Sequence, residues 1–144
     1  MTPEIRIQAE DFDPGREVER LTCGRNDIGG VVSFIGIVRD VALTLEHYPA
    51  MTEREVRRIS EEAQARWPLL GLTVIHRYGR LEAGSRIVLV VTASEHRKAA
   101  FEAAEFLIDW LKTKAPFWKL EEGRNGPQWV EAKSSDDDAA NKWH

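Results

Sequence analysis

The sequence contains little cysteine and no long apolar run. Cys23 is the single cysteine in 144 residues, which excludes an internal disulfide and a cysteine-only metal cluster. No apolar stretch approaches the roughly 20 residues that span a bilayer, and the N-terminus lacks the basic region and apolar run of a signal peptide. We therefore expect a cytoplasmic protein that does not insert into a membrane.

The chain also has no excess of positive charge. Its 20 lysines and arginines face 24 acidic residues, which gives a net charge of −4 and a pI near 5.6. Nucleic-acid binding normally requires a basic surface, so nucleic acid is not an expected partner. With 42% hydrophobic residues, the chain can form one domain with its own core. We expect that domain over residues 1–133 and an acidic tail over residues 134–144.

Short strands and helices alternate along the chain. Strands are expected where apolar residues alternate or cluster, and helices where apolar residues recur at helical spacing. The expected strands cover residues 5–7, 29–38, 42–48, 72–78, 86–92, 117–121 and 128–132, and the expected helices cover residues 14–23, 52–67 and 95–114. This order predicts a single α+β domain with a mostly antiparallel sheet.

Local signals refine three of these elements. The strand over residues 29–38 is apolar on both faces, which is typical of a central strand. Thr52 and Glu55 have the spacing of a capping box at the start of the second helix. Ser94 is expected to cap the third helix.

The most informative segment lies at the end of the third helix and reads Lys-Thr-Lys-Ala-Pro-Phe-Trp-Lys, residues 112–119. Pro116 cannot continue a helix, so the helix should end near Lys114. The aromatic residues that follow favour a strand. Lys112 and Lys119 therefore lie on different elements around one tight bend, where both ammonium groups can approach one anion. The alternative is that both are ordinary surface lysines, Lys112 being favoured by the helix dipole.

A second group of cations lies at the other end of the same helix. His96 and Arg97 fall near its first turn, where unpaired N–H groups and the helix dipole favour an anion such as phosphate. Arg39 follows a buried strand, a common location for binding residues. Each of these three side chains can equally be a solvated surface residue.

Helix geometry separates these two groups. His96 and Lys112 are 16 residues apart, hence about 24 Å along the helix axis. One small ligand cannot contact both within one chain. Either they serve different functions, or a twofold dimer joins the helix start of one subunit to the helix end of the other. We favour the shared pocket.

Several segments resemble the MoaE family, the large subunit of molybdopterin synthase, and they occur in the family's order. The closest similarities are the lysine-rich segment over residues 112–119 and the segment Leu-Thr-Leu-Glu-His-Tyr-Pro-Ala-Met-Thr over residues 43–52. Shorter similarities cover residues 34–39, 74–77, 96–103 and 129–132. The resemblance extends over nearly the whole chain and implies the family's hammerhead-type α+β fold.

The resemblance also implies a reaction. The family transfers sulfur from the C-terminal thiocarboxylate of a small ubiquitin-like carrier, the MoaD-type subunit, to cyclic pyranopterin monophosphate, forming the dithiolene of molybdopterin. The large subunit is a homodimer that binds two carriers in a heterotetramer. Because the carrier brings the sulfur, the large subunit needs no cofactor, no metal and no catalytic cysteine. Cys23 is then a structural residue.

The family's site residues map onto this chain as follows. Lys112 and Lys119 are expected at the reacting centre, where they stabilise the thiocarboxylate and the acyl intermediates or transfer protons. Arg39, His96, Arg97 and Lys133 are expected to bind the substrate, with His96 and Arg97 coming from the other subunit.

Other side chains in the matched segments carry weaker expectations. Phe34 and Phe117 can line the pocket, although core packing is the expected role of each. His47 and His76 lie within expected strands and are interpreted as structural residues. No histidine or cysteine spacing matches a zinc site.

The chain departs from the family after Asp40. Family members have roughly ten more residues in a polar loop between Arg39 and the Leu-Glu-His-Tyr strand. Either this chain has a true deletion, or a mobile loop is missing from the sequence, and we favour the second because both flanking motifs are intact. A true deletion would favour a rival function, a dimeric scaffold that binds the carrier without turnover. A second rival is a lyase that forms a Schiff base on a desolvated lysine.

Overall fold

The computed structural model describes residues 1–123, 126–130, 141 and 143. This part of the chain forms an α+β domain of eight strands and three helices. The strands are β1 (Glu4–Gln8), β2 (Gly30–Ile37), β3 (Leu43–His47), β4 (Leu69–Arg77), β5 (Gly79–Leu81), β6 (Arg86–Ser94), β7 (Phe117–Gly123) and β8 (Gly126–Val130). The helices are α1 (Pro14–Thr22), α2 (Pro49–Arg66) and α3 (Arg97–Thr113).

The strands form two sheets rather than one. The first sheet has the order β1-β4-β6-β2 and the second has the order β5-β3-β7-β8. All the described pairs are antiparallel except β1 with β4, which is parallel. The expected α+β fold with mostly antiparallel pairing is therefore confirmed, and β5 is a strand that the sequence did not indicate.

Three apolar clusters hold the layers together. In the largest, α2 and α3 pack on one face of the first sheet, where Val56 and Leu107 contact the region of Val74 and Val90. A smaller cluster around Phe12 packs on the opposite face beside α1. The third cluster contains Val38, Leu43, Leu45 and Leu81 and joins the end of β2 to the second sheet. The junction between the two sheets lies in this third cluster.

Strand β2 is an edge strand, so its expected central position is wrong. It pairs with β6 along one side, while Val31 and Ile37 are exposed. On one face of β2, Val32 and Phe34 pack against the main core, and on the other face only Ile35 packs against the cluster beside α1. Apolar residues on both faces of a strand therefore do not require a neighbouring strand on each side.

Two helices begin at other residues than the capping signals predict. Helix α2 begins at Pro49, after Tyr48, because proline is well suited to the first helical position. Thr52 is instead fully buried within the first turn, so the predicted capping box is wrong. Helix α3 begins after His96, and the Ser94 hydroxyl bonds to the carbonyl of His96 rather than capping the helix.

Trp143, in the C-terminal tail, packs on the domain. The indole of Trp143 meets Trp67 and Phe106 edge to face, with both ring centroids 5.7 Å away. The carbonyl of Trp143 accepts a hydrogen bond from Arg66, which anchors this residue beside α2 and α3.

Candidate functional site

The bend between α3 and β7 has the predicted form. Helix α3 ends at Thr113 with Lys114 as its C-cap, and β7 begins at Phe117. The N–H groups of Lys114 and Ala115 both donate to the carbonyl of Trp110, at 2.8 and 3.2 Å. This tight closure, followed by Pro116, turns the chain directly from helix into strand.

The two lysines flank this bend in different environments. Lys112 lies in the last turn of α3 with an exposed side chain. Lys119 lies in β7, is half-buried and pairs with the buried Leu45 of β3. Because side chains alternate along a strand, Lys119 shares its face with Phe117, which packs in the cluster that joins the two sheets. Lys119 therefore points to the inner face of the second sheet.

The side chain of Thr52 contacts the bend between α3 and β7. Its hydroxyl donates to the carbonyl of Pro116 over 3.4 Å, and Nδ1 of His47 lies 3.3 Å from the same hydroxyl. A hydroxyl has one proton to donate, so the imidazole must supply the other proton in this chain of hydrogen bonds. The motif over residues 43–52 thus contacts the lysine segment directly, which the sequence alone did not show.

Two histidine rings and two aromatic rings pack together beside the bend between α3 and β7. The ring of His76 stacks on Phe117, with centroids 3.9 Å apart and an interplanar angle of 15°. The ring of His47 lies 4.5 Å from that of Tyr78 and 5.6 Å from that of Phe117. Burial, with a smaller contribution from the charges of Lys119 and His47, lowers the pKa of His76 to about 4, which keeps its imidazole neutral at physiological pH. Both histidines lie in strands, as predicted; His76 is buried and His47, at the end of β3, is half-buried.

An exposed aromatic pair lies on the other side of the same strand. Trp118 and Tyr48 meet edge to face, with ring centroids 5.2 Å apart and an interplanar angle of 83°. They remain 43% and 66% exposed, although large aromatic side chains are usually buried. The bend therefore has a polar lysine side and an apolar outer side.

Arg39 lies at the same end of the molecule as the two lysines. It follows the buried Val38 of the cluster that joins the two sheets, and its own side chain is 75% exposed. Its ion pair with Asp40, at 3.7 Å, joins two exposed groups and so contributes little stability. The guanidinium can therefore exchange this partner for a ligand.

The connection after Arg39 closes in a short turn without a break in the chain. The N–H of Val41 donates to the carbonyl of Arg39 at 2.9 Å, and Asp40 has a φ of 71°. This left-handed conformation is tolerated best by glycine, asparagine and aspartate. Val41 and Ala42 connect this turn to β3.

The start of α3 lies at the end of the first sheet that is opposite to the bend between α3 and β7. His96 is its N-cap, Arg97 is its first residue, and both side chains are exposed. Glycines permit the close approach of this segment to β2: a Cβ on Gly29 would lie 2.0 Å from the carbonyl oxygen of Glu95, and one on Gly30 would lie 3.4 Å from the Cα of Arg97. No side chain of the described residues caps this helix start, so its first N–H groups can donate hydrogen bonds to an anion.

The structure therefore brings together three of the predicted site residues and separates two. Arg39 and Lys119 adjoin the cluster between the two sheets and Lys112 lies in the last turn of α3, whereas His96 and Arg97 lie at the opposite end of α3. Lys133 lies outside the described residues. Phe34 packs against the main core and Phe117 against the cluster between the sheets, so packing is their described role.

Two properties of the described residues bear on other classes of function. Among the described residues no group of three or more histidine, cysteine or acidic side chains can hold a metal ion. No helix in the described ranges is long and apolar enough to cross a membrane. Cys23, at the end of α1, is exposed.

Comparison with protein families and curated proteins gives consistent matches. Residues 7–114 match the family model described as MoaE protein. The molybdopterin synthase catalytic subunit of Mesorhizobium japonicum is 56% identical over 150 residues, which cover 99% of this chain and 94% of that protein.

Solved structures with the same fold include a protein-protein complex. The molybdopterin biosynthesis MoaE protein from Burkholderia ambifaria matches with a TM-score of 0.85 and 46% identity, covering 99% of this chain and 98% of that chain. A chain from the protein-protein complex of subunits 1 and 2 of molybdopterin-converting factor from Helicobacter pylori matches with a TM-score of 0.68 and 26% identity, covering 91% of this chain and 90% of that chain.

Proposed function

Because this chain belongs to the MoaE family, we propose that it is the catalytic subunit of a molybdopterin synthase. It takes sulfur from the C-terminal thiocarboxylate of a small ubiquitin-like carrier and transfers it to cyclic pyranopterin monophosphate, which becomes the dithiolene of molybdopterin. The observation that carries this proposal is the bend that sets Lys112 and Lys119 on two adjoining elements.

The proposed sulfur transfer requires the protein to supply positively charged side chains. The thiocarboxylate is an anion, and negative charge develops on oxygen and sulfur as the acyl group is attacked and released. Lys112 and Lys119 supply two ammonium groups from rigid elements, which is favourable because preorganised charge stabilises such states strongly. The half-buried Lys119 lies where solvent screening is weaker, so its ammonium acts on the reacting acyl group with more effect than a fully exposed one.

The substrate phosphate requires further cations. Arg39 lies at the lysine end of the molecule, and His96 with Arg97 lies at an uncapped helix start that favours anions. The distance between these ends supports a pocket that two subunits share across a twofold axis. In that arrangement, His96 and Arg97 of one chain bind the phosphate beside Arg39, Lys112 and Lys119 of the other. Lys133 is proposed as an additional phosphate or pterin contact.

The proposed assembly is a homodimer that binds two carriers. The complex of subunits 1 and 2 known from Helicobacter pylori supports a small-subunit partner. The exposed Tyr48 and Trp118 adjoin the lysine bend and offer an aromatic surface for the carrier, since such residues often anchor interfaces. The sulfur arrives on the carrier, so the proposed reaction uses no cofactor. We propose that it takes place in the cytoplasm.

The phosphate assignment is tested by comparing two affinities. Arg97→Ala should weaken binding of cyclic pyranopterin monophosphate about tenfold or more, since a charge-assisted hydrogen bond contributes about 1.5–3 kcal/mol. Carrier affinity should change much less. Lys98→Ala is the matched control, because Lys98 is the next residue and already pairs with Glu102 at 3.8 Å. If Arg97→Ala weakened carrier binding more than precursor binding, the assignment would be rejected.

A further inference from the structure

His76 carries a polar ring into an apolar part of the fold. It lies in β4 opposite Val88 of β6, and it is 5% exposed. Its ring is parallel to that of Phe117, at a centroid distance of 3.9 Å. A phenylalanine could fill this space and keep the stacking, so the nitrogen atoms of the ring call for an explanation.

The hydrogen bonding of His76 defines its tautomer. Nδ1 lies 2.8 Å from the carbonyl oxygen of Arg77. A carbonyl can only accept, so Nδ1 carries the proton and Nε2 keeps a lone pair. Burial holds the pKa of this ring near 4, so the lone pair remains available at neutral pH.

Lys119 lies near this ring on the neighbouring strand β7. Phe117, on which His76 stacks, lies two residues before Lys119 on the same face of β7. Lys119 is close enough for its charge to act on His76. Within residues 1–123 and 126–130, His47 of β3 and Tyr78 of the β4–β5 connection are further titratable groups beside this pair, whereas Arg77 turns away and bonds to the carbonyls of Ala9 and Arg86.

We propose that His76 is a positioning residue for Lys119: its neutral ring, clamped by Phe117, offers the Nε2 lone pair to the Lys119 ammonium and fixes that ammonium at the reacting centre. This inference rests on the proposed function of Lys119 and deepens it. A lysine side chain has several rotatable bonds, so a fixed acceptor beneath it removes alternatives that would misplace the charge.

The pair is tested by nitrogen NMR of the histidine rings in the full-length protein. At pH 7 the wild-type His76 should show a protonated Nδ1 and an unprotonated Nε2. Lys119→Met keeps the length and apolar stem of the side chain but removes the donor, so it should move the Nε2 resonance and raise the pKa of His76. Lys112→Met is the matched control and should leave both unchanged. An Nε2 resonance that is the same in wild type and Lys119→Met would overturn the proposal.

The converse experiment changes His76 and reads Lys119. His76→Phe keeps the stacking and removes the acceptor, while His76→Gln keeps an acceptor. Mass spectrometry measures the rate at which acetic anhydride acylates Lys119, normalised to Lys112 in the same molecule. This rate should become several-fold faster in His76→Phe. His76→Gln should return it toward the wild-type rate. Equal rates in all three folded proteins would contradict the proposal, and the Lys119→Met comparison decides the matter if His76→Phe does not fold.

Turnover gives a third readout. His76→Phe should lower kcat for sulfur transfer several-fold while leaving carrier affinity close to wild type, because the fold of the docking surface is unaffected. A loss of carrier affinity with unchanged kcat would assign His76 to docking and contradict the positioning role. If the wild-type protein itself made no molybdopterin, the proposed function would fail, while the NMR comparison would still decide whether His76 and Lys119 interact.

Discussion

Arg97 and Arg39 lie beyond opposite ends of one strand, β2. The Cα of Arg97 is against Gly30, the first residue of that strand, and Arg39 follows two residues after its last residue, Ile37. Eight residues of strand separate them by about 26 Å, which exceeds the reach of one small substrate. If both arginines bind the same phosphate-bearing molecule, they belong to different subunits.

Mixing two inactive variants tests this shared pocket. Lys112→Ala and Arg97→Ala homodimers should each lose most activity, since every pocket then lacks one cation. A heterodimer of the two has one pocket with both changes and one with neither, so activity should recover to about a quarter of the wild-type value if subunits mix at random. The measurement is molybdopterin formation after subunit exchange, which mass spectrometry verifies.

The control for this experiment combines both changes in one chain. Mixing the Lys112→Ala/Arg97→Ala double variant with either single variant creates no intact pocket, so no recovery is expected. Verified exchange between the single variants without any recovery would rule out the shared pocket and return the two cation groups to separate roles.

The glycines at the start of β2 should be necessary for the phosphate end of the site. Gly29→Ala places a methyl group 2.0 Å from the carbonyl oxygen of Glu95, so the backbone must move. We expect a loss of about 1–3 kcal/mol in unfolding free energy, together with weaker precursor binding. Urea denaturation and precursor titration measure the two effects.

Gly15→Ala provides the matched comparison. A Cβ there meets only the carboxylate of Asp13, at an ordinary 3.5 Å, and the residue lies within α1. Alanine is the better helix former, so this change should be neutral or stabilise the protein by up to about 1 kcal/mol. A Gly29→Ala protein as stable as Gly15→Ala would contradict the close approach.

Thr52 should hold the lysine bend in place. Thr52→Val keeps the shape of the side chain but leaves the Pro116 carbonyl and Nδ1 of His47 without their hydroxyl partner. We expect a loss of about 1–3 kcal/mol in unfolding free energy and a lower kcat with little change in precursor affinity. Thr22→Val is the control, since its hydroxyl bonds only to the helical carbonyl of Val18 and lies on α1. Unchanged kcat in Thr52→Val would show that the bend needs no such support.

Buried His76 should make the protein sensitive to acid. Burial, reinforced by the charges of Lys119 and His47, lowers its pKa from 6.5 to about 4 in the folded state. Because the unfolded chain takes up this proton first, the stability is full above about pH 6.5 and falls as the pH drops toward 4. Between pH 7 and pH 5 this one group should cost about 2 kcal/mol of unfolding free energy.

The comparison of wild type with His76→Phe isolates that contribution. Urea denaturation at pH 7 and pH 5 should show a smaller loss of stability in the variant, by about 2 kcal/mol. The carboxylates and the other histidines titrate alike in both proteins, so their contributions to stability cancel in the difference. The same loss of stability in both proteins would show that protonation of His76 does not cause the acid sensitivity.

Local chemistry explains what the sequence revealed about the site. Pro116 stops α3 wherever the rest of the chain lies, so the bend and the two elements that bear Lys112 and Lys119 were predictable. The separation of His96 from Lys112 followed from helix geometry alone. The resemblance to a family added the chemistry, because lysines around a bend do not by themselves specify sulfur transfer.

Long-range packing explains what the sequence did not reveal. The edge position of β2 depends on which strands pair, and two of the apolar residues that suggested a central strand, Val31 and Ile37, are exposed. Thr52 looked like part of a capping box because its contact with Pro116, 64 positions away, is made only in the folded chain. His76 was correctly expected within a strand, but its position against Phe117 depends on how the two sheets meet.

The central claim, that the lysine bend performs sulfur transfer, is tested most directly by one reconstitution. Purified protein is combined with a thiocarboxylated carrier and cyclic pyranopterin monophosphate, and molybdopterin is measured as its fluorescent oxidation product. The account predicts product with the wild-type chain and its loss in Lys112→Ala and in Lys119→Ala, while Lys98→Ala remains active. A wild-type chain that binds the carrier but forms no product, or lysine variants that retain full turnover, would contradict it.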